Sequence, residues 1–341
     1  VFYVIGPRAE DPWTMKNRDR MLRFVAAYGL KHLRNAAALE SFMPSIHQHS
    51  NAELSDIRID AHHHLWNYQV DEFSWIDSTM AALCRDFTAH DLSIEMERAG
   101  MDAAVAVQAR QSLEETRWLL QQAATHPRIA GVVGWAPIAD DHFPDILSQL
   151  TDHDRLVGLR HVVQAEPAGF LDRDDFNRGV GILEPSGLSY DILITEGQIE
   201  EAARFVDRHP YQRFVVDHCA KPRIAAGELE PWRTGIRALA LRPNVTCKLS
   251  GLVTEANWTS WTLDDLRPYL DTVLDAFGPV RVMAGSDWPV CLVATSYTHW
   301  WDTLHLYTES LSDSERRALY SDVAQSFYRL KIDATACKDV A

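Results

Sequence analysis

Ile59-Asp60-Ala61-His62-His63-His64-Leu65-Trp66 opens the part of the chain whose rhythm decides the fold. It lies in the first of eight short runs rich in Val, Ile, Leu and Ala, at residues 57–65, 103–109, 129–137, 156–163, 189–194, 213–218, 245–249 and 281–285. Between the runs lie stretches with helical spacing. Ser112-Leu113-Glu114-Glu115 reads as a capping box opening a helix to Ala124, which His126-Pro127 ends. Ile199, Ala202, Ala203 and Val206 share one helical face before Pro210, and so do Leu266, Tyr269, Leu270, Val273, Leu274 and Phe277 before Gly278-Pro279. A final helical region is expected at 314–330. Strands alternating with helices predict βα units on a parallel sheet. Eight units in about 285 residues suit an α/β fold of the (β/α)8 TIM-like barrel type. A doubly wound open sheet is the competing topology. Neither G-x-G-x-x-G after the first strand nor a phosphate-binding G-x-x-x-x-G-K-[ST] occurs, which weakens any nucleotide-fold reading.

The 341 residues carry a net charge of −15, with 46% hydrophobic and 24% charged residues, a folded-protein composition. The acid excess argues against a nucleic-acid partner. No apolar run reaches the roughly 18 residues of a membrane span. Cys84, Cys219, Cys247, Cys291 and Cys337 are dispersed, an odd set that reads as reduced thiols in the cytoplasm. Residues 1–56 stand apart. Six basic side chains to one acidic fall within residues 13–36, and Met21, Leu22, Val25 and Leu30 make a loose helical stripe. The expected organisation is an N-terminal extension at 1–56, partly helical or disordered, a barrel at 57–332 and a tail at 333–341.

Side chains alternate faces along a strand, so Asp60, His62 and His64 are expected on one face and Ala61, His63 and Leu65 on the other. Two imidazoles at i and i+2 can converge on one metal ion, although packing and hydrogen bonding also account for such a pair. His63 is then expected to face the helical shell. Three further polar positions close predicted strands at the end where barrel active sites are built. They are His218 in Phe214-Val215-Val216-Asp217-His218, Asp287 in Val282-Met283-Ala284-Gly285-Ser286-Asp287, and the pair Arg160-His161. A carboxylate there is costly to bury unless paired or metal-bound. Asp287 can therefore be a ligand, a general base, or both in turn; a helix cap or ion pair is the structural alternative. Only one of Arg160 and His161 can face the barrel interior.

The segments I-D-A-H-H-H-L-W (59–66), V-G-L-R-H-V-V-Q (157–164), F-V-V-D-H-C-A-K-P (214–222), K-L-S-G-L (248–252) and R-V-M-A-G-S-D-W-P-V (281–290) together resemble the amidohydrolase superfamily. They are most similar to its sugar-lactonase branch, the L-fuconolactonase and L-rhamnonolactonase type, in order from residue 57 to about 330. The resemblance implies a barrel that hydrolyses a small-molecule sugar-acid lactone to the aldonic acid. It makes His62 and His64 the H-x-H of the first strand, His218 the histidine of D-H-x-x-K-P, and Asp287 the aspartate of the eighth strand. It implies one divalent ion, zinc or manganese, on His62, His64 and Asp287. The fifth strand has no histidine, which argues against a two-metal site. Asp287 is then expected to activate water and His218 to polarise the carbonyl. Trp66, Arg160, His161 and Lys221 are expected to hold the hydroxylated ring, under a loop containing Phe73, Trp75 and Ile76. A superfamily decarboxylase or dicarboxylate-pyrone lactonase is the competing activity, with Arg110 and Arg160 receiving carboxylates. A non-catalytic sugar-binding protein is the alternative from another class.

Overall fold

The computed structural model describes residues 57–332. The expected leader, with its helical stripe, and the tail with Cys337 lie outside those residues. Eight strands follow in chain order: β1 (Ile59–His63), β2 (Ala103–Val107), β3 (Ile129–Gly134), β4 (Leu156–His161), β5 (Ser189–Ile192), β6 (Phe214–Val216), β7 (Val245–Leu249) and β8 (Val282–Ala284). Each pairs in parallel with the next. The ring closes where His63 bridges Trp288 and the Asp287 and His64 amides donate to the His62 and Trp288 carbonyls. The open-sheet alternative is thereby excluded.

One helix follows each strand: α1 (Ala89–Ala99), α2 (Leu113–Thr125), α3 (Phe143–Thr151), α4 (Asp174–Ser186), α5 (Ile199–Arg208), α6 (Trp232–Leu239), α7 (Leu263–Phe277) and α8 (Tyr297–Thr308). Reciprocal caps start α1 (Thr88 with Asp91) and α7 (Thr262 with Asp265). At α2 only half of the expected box forms. Ser112 accepts from the Glu115 amide, but the Glu115 carboxylate turns away to the amides of Ala109 and Arg110. The last helical region is interrupted, with α9 (Asp313–Arg317), a widened turn at Ala318–Asp322 and α10 (Val323–Tyr328). Among the described residues, no helix is long and apolar enough to cross a membrane.

Alternation divides the strand side chains into two cores. Ala61, Ala103, Val105, Val107, Val133, Val157, Val215 and Met283 meet one another and Val323, Ala324, Phe327 and Tyr328. Val215 of β6 and Met283 of β8 share this cluster with residues of β2 and β3, strands that are not their neighbours in the sheet, so the cluster fills the barrel interior and α10 plugs its end. Ala104, Ala106, Leu159, Tyr190, Ile192, Val216, Cys247 and Leu249 face the helices instead. With both faces covered, the strands read as continuous apolar runs.

A regular feature marks the rim where the strands begin. Arg58, Arg128, Arg155, Arg213 and Arg281 immediately precede β1, β3, β4, β6 and β8. Each guanidinium donates to backbone carbonyls, for example Arg155 to Ala130 and Arg281 to Ala240, Arg242 and Val245. Arginines therefore tie down one rim and leave the opposite, C-terminal rim to carry the chemistry.

Candidate active site

Strict alternation along β1 does not hold. The β1–β2 register shifts between Asp60 and His63, so His62 and His64 share the interior without Asp60. Asp60 instead accepts from the Ser286 amide (2.8 Å), the Ser286 hydroxyl (2.6 Å) and the Tyr297 hydroxyl (3.1 Å). Burial pushes its carboxyl up to about 6, against those hydrogen bonds. Asp60 therefore braces the turn that carries Asp287. His63 is buried, and burial pushes its imidazole down to about 3.

The interior histidines lie close together, His62 Nε2 to His64 Nε2 being 3.2 Å. His218 joins them from β6, its ring centroid 4.5 Å from that of His62. Its backbone is unusual. His218, Cys219, Ala220 and Lys221 have φ of 51°, 53°, 58° and 49°, four successive non-glycine residues in the left-handed region. Each costs about 1–2 kcal/mol, and strain of this kind persists where surroundings over-determine it. Trp232 Nε1 donates to the Cys219 carbonyl (2.7 Å) and the Cys219 thiol to the Lys248 carbonyl (3.2 Å), which hold the turn. The strand expected to run to His218 therefore stops at Val216.

Asp287, also left-handed at φ 57°, places Oδ1 3.3 Å from His64 Nε2, 3.7 Å from His62 Nε2 and 3.8 Å from His218 Nε2. Burial alone would raise its pKa, but His218, His64 and Lys221 outweigh burial and hold the carboxyl below the usual range. Burial drives His218 down to about 4 and, with Lys248 beside it, His62 well below its ordinary value. Near neutral pH Asp287 is thus ionised, and His62 and His218 are neutral. Gly251 makes room for the cluster. A Cβ there would lie 2.5 Å from His218 Nδ1 and 3.0 Å from Asp287 Oδ2, at φ +62°. Gly251→Ala is expected to lower stability by about 1–3 kcal/mol and to cut turnover by about 10²-fold through displacement of His218. Denaturant titration and steady-state kinetics on one preparation check both effects.

These donors suit a divalent ion. Ligand atoms of His62, His218 and Asp287 lie within 4.8 Å of one another. Ligands each about 2.0–2.1 Å from a zinc ion stand about 3.3 Å apart in a tetrahedron, close to the separations seen here. Neutral imidazoles and an ionised carboxylate are the protonation states an ion requires.

Of the pair on β4, Arg160 faces the interior. Its guanidinium binds Asp217 Oδ2 at 2.9 Å and the Gln108 carbonyl, and lies 3.4 Å from His62 Nε2. His161 is not brought to the cluster. It bonds Glu166 at 2.7 Å, accepts from Trp135 Nε1 and stacks on Phe170. Trp66 is also kept away: its Nε1 donates to the Arg85 carbonyl and its ring packs among Phe73, Trp75 and Phe87. It lines a side cavity of about 280 Å³ with Glu72, Arg110 and Trp118. In the loop beyond it, Phe73 and Ile76 are buried and Trp75 is exposed. Lys221 sits 3.5 Å from Glu255, both partly exposed, and its charge is felt by His218 and Asp287.

Three charged residues beneath the histidines had no role in the motif reading. Lys248 Nζ binds Asp191 Oδ2 (2.6 Å) and Asp217 Oδ1 (2.9 Å), all fully buried. Tyr328 donates to Asp191 (2.7 Å) from the plug helix. Parity could have found them: Asp191 lies between shell-facing Tyr190 and Ile192, and Lys248 between Cys247 and Leu249.

A closed parallel barrel with three histidines and a carboxylate converging at its strand ends defines a hydrolase-type barrel site. The amidohydrolase family pattern matches residues 59–330. An L-fucono-1,5-lactonase of Burkholderia multivorans is 40% identical over 292 residues, spanning 82% of this chain and 98% of that protein. One from Burkholderia ambifaria is 36% identical over 238 residues, 70% of this chain and 82% of that protein. A solved amidohydrolase of Burkholderia multivorans, with bound zinc, superposes with a TM-score of 0.78 at 39% identity. It covers 81% of this chain and all of that one. The chain belongs to the amidohydrolase family.

Proposed function

We propose that this chain opens a sugar-acid lactone of the L-fucono-1,5-lactone or L-rhamnonolactone type to its aldonic acid. The observation that carries the chemistry is the Asp287 carboxylate, buried and ionised, 3.3 Å from His64 Nε2 and 3.7 Å from His62 Nε2. Among the described residues, no arginine or lysine forms a direct ion pair with it. It is therefore free to move a proton. Water attacks the lactone carbonyl as Asp287 takes its proton. The tetrahedral oxyanion forms against the imidazole of His218, oriented by Ser250 at 2.9 Å. Collapse breaks the ring C–O bond, and Asp287 returns the proton to the departing alkoxide. Burial of the cluster removes competing water and strengthens each of these contacts. A divalent ion held by His62, His64 and Asp287 would supply Lewis acidity to the carbonyl oxygen. Of the four residues assigned to the sugar ring, Lys221 at the rim has the freedom to meet hydroxyl groups. Arg160 is committed to Asp217 and acts from below.

The dicarboxylate reading loses support from the arginines themselves. Arg110 is paired with Glu72 and Glu115, and Arg160 with Asp217 and Gln108. Neither offers a bare guanidinium to a substrate carboxylate. A panel of aldonolactones, assayed before and after chelation, tests the proposal. Ring opening above the spontaneous rate is expected for 6-deoxy sugar lactones. Thermal stabilisation by such lactones without hydrolysis would instead favour a binding protein.

A further inference from the structure

The segments that follow β6 and β7 are buried along most of their length, with gaps at two charged residues. Asp217, His218, Cys219, Ala220 and Pro222 are buried, and so are Val253 and Ala256, whereas Lys221 and Glu255 keep 23% and 26% of their side chains exposed. Both gaps lie beside Asp287. Lys221 ends the left-handed turn that starts at His218, and its amide donates to the His218 carbonyl at 2.9 Å. Glu255 ends the short turn Val253–Glu255. That turn is tied to Gly251, the residue without a Cβ against Asp287, whose carbonyl accepts from Thr254 Oγ1 at 2.6 Å. The charges also meet across the opening. Burial pushes the Glu255 carboxyl up, Lys221 pulls it down, and Asp287 pushes it up again.

The pair itself is loose. Lys221 Nζ lies 3.5 Å from Glu255 Oε1, and Thr254 Oγ1 approaches the same oxygen only to 3.5 Å. Among the described residues, neither charged group has a closer polar contact. A partly exposed pair of this kind adds little to stability, so a structural role does not account for its place beside the reacting centre. An ammonium group only donates and a carboxylate only accepts, while a hydroxyl does both. The pair can therefore take two adjacent ring hydroxyls together, one donating to Glu255 and the other accepting from Lys221. We propose that Glu255, working with Lys221, is a specificity-determining residue that recognises two adjacent hydroxyls on the ring of the bound molecule. That the ring is a lactone rests on the lactonase reading; the recognition itself requires only a cyclic polyol.

The test uses the full-length protein and two readouts. The first is calorimetric titration with 1,5-anhydro-L-fucitol, which carries the ring hydroxyls but no carbonyl and cannot be opened. The wild type is expected to bind it, and Glu255→Gln to bind it about 10–100-fold more weakly, the usual effect of losing hydrogen bonds to a charged group. Glu255→Ala is a second variant, in case the amide keeps one of the bonds. The second readout is the ratio of kcat/KM for L-fucono-1,5-lactone to that for δ-valerolactone, a six-membered ring without hydroxyls. Glu255→Gln is expected to lower this ratio by a similar factor. Equal losses on the two lactones would make Glu255 a structural residue and overturn the proposal. So would a wild type that does not bind the anhydro sugar, or variants that bind it as tightly as the wild type. If the wild type opens neither lactone, the lactonase reading fails, and the titration alone decides the role of Glu255.

Discussion

Asp287→Asn is expected to lower kcat/KM for lactone opening by about 10²–10⁴-fold, the usual contribution of a positioned general base. The side chain keeps its size, and asparagine tolerates the left-handed backbone that Asp287 adopts at φ 57°. The backbone bonds that fix the turn, from the Asp287 amide to His62 and from the Cys291 amide to the Asp287 carbonyl, are untouched. What is lost is the ability to take a proton from water and return it to the alkoxide. The loss should therefore fall on kcat, with KM little changed and the melting transition near that of the wild type. Stopped-flow or pH-indicator kinetics on the two proteins measure it. An asparagine variant within a few-fold of the wild-type rate would remove the role assigned to Asp287.

Lys248→Met is expected to cause the largest loss of stability. The lysine is fully buried and paired with two fully buried carboxylates at 2.6 and 2.9 Å. Removing one partner of a buried ion pair leaves uncompensated charge and costs about 3–5 kcal/mol. Asp217 retains Arg160, but Asp191 keeps only hydroxyl partners among the described residues, Tyr328 at 2.7 Å and Ser189 at 3.5 Å. Burial already pushes the Asp191 carboxyl up to about 6 against the pull of Lys248. Without the lysine, Asp191 would take up a proton near neutral pH and soften part of the penalty. The expected fall in melting temperature is roughly 10 °C, and Asp191→Asn added to Lys248→Met should recover part of it. Denaturant titration of the three variants measures the order. A single variant as stable as the wild type would show that the buried charges do not depend on one another.

The eight βα units were legible because each strand is an apolar run with both faces covered, and each helix carries its own spacing and stop signal. The site was legible in part. His62, His64, His218 and Asp287 lie in or just past the C-terminal halves of predicted strands, and all four converge. The rest was hidden for identifiable reasons. The shifted β1 register separates Asp60 from its expected neighbours, and nothing local to the sequence marks such a shift. The left-handed turn from His218 to Lys221 contains no glycine, the residue that normally announces that conformation. His161 and Trp66 sit beside site residues in the chain yet are engaged by partners in the loops that follow them and, for His161, by Trp135. Lys248, Asp191 and Asp217 lay in strands read as apolar, where their charges signalled a lumen network only once their parity was known.

The central claim is tested most directly by the initial rate of L-fucono-1,5-lactone ring opening by the purified protein, corrected for spontaneous hydrolysis. The account predicts kcat/KM of about 10⁴ M⁻¹s⁻¹ or more, lost on Asp287→Asn. No rate above the spontaneous one, for this or related aldonolactones, from a folded protein with and without added zinc, would contradict it.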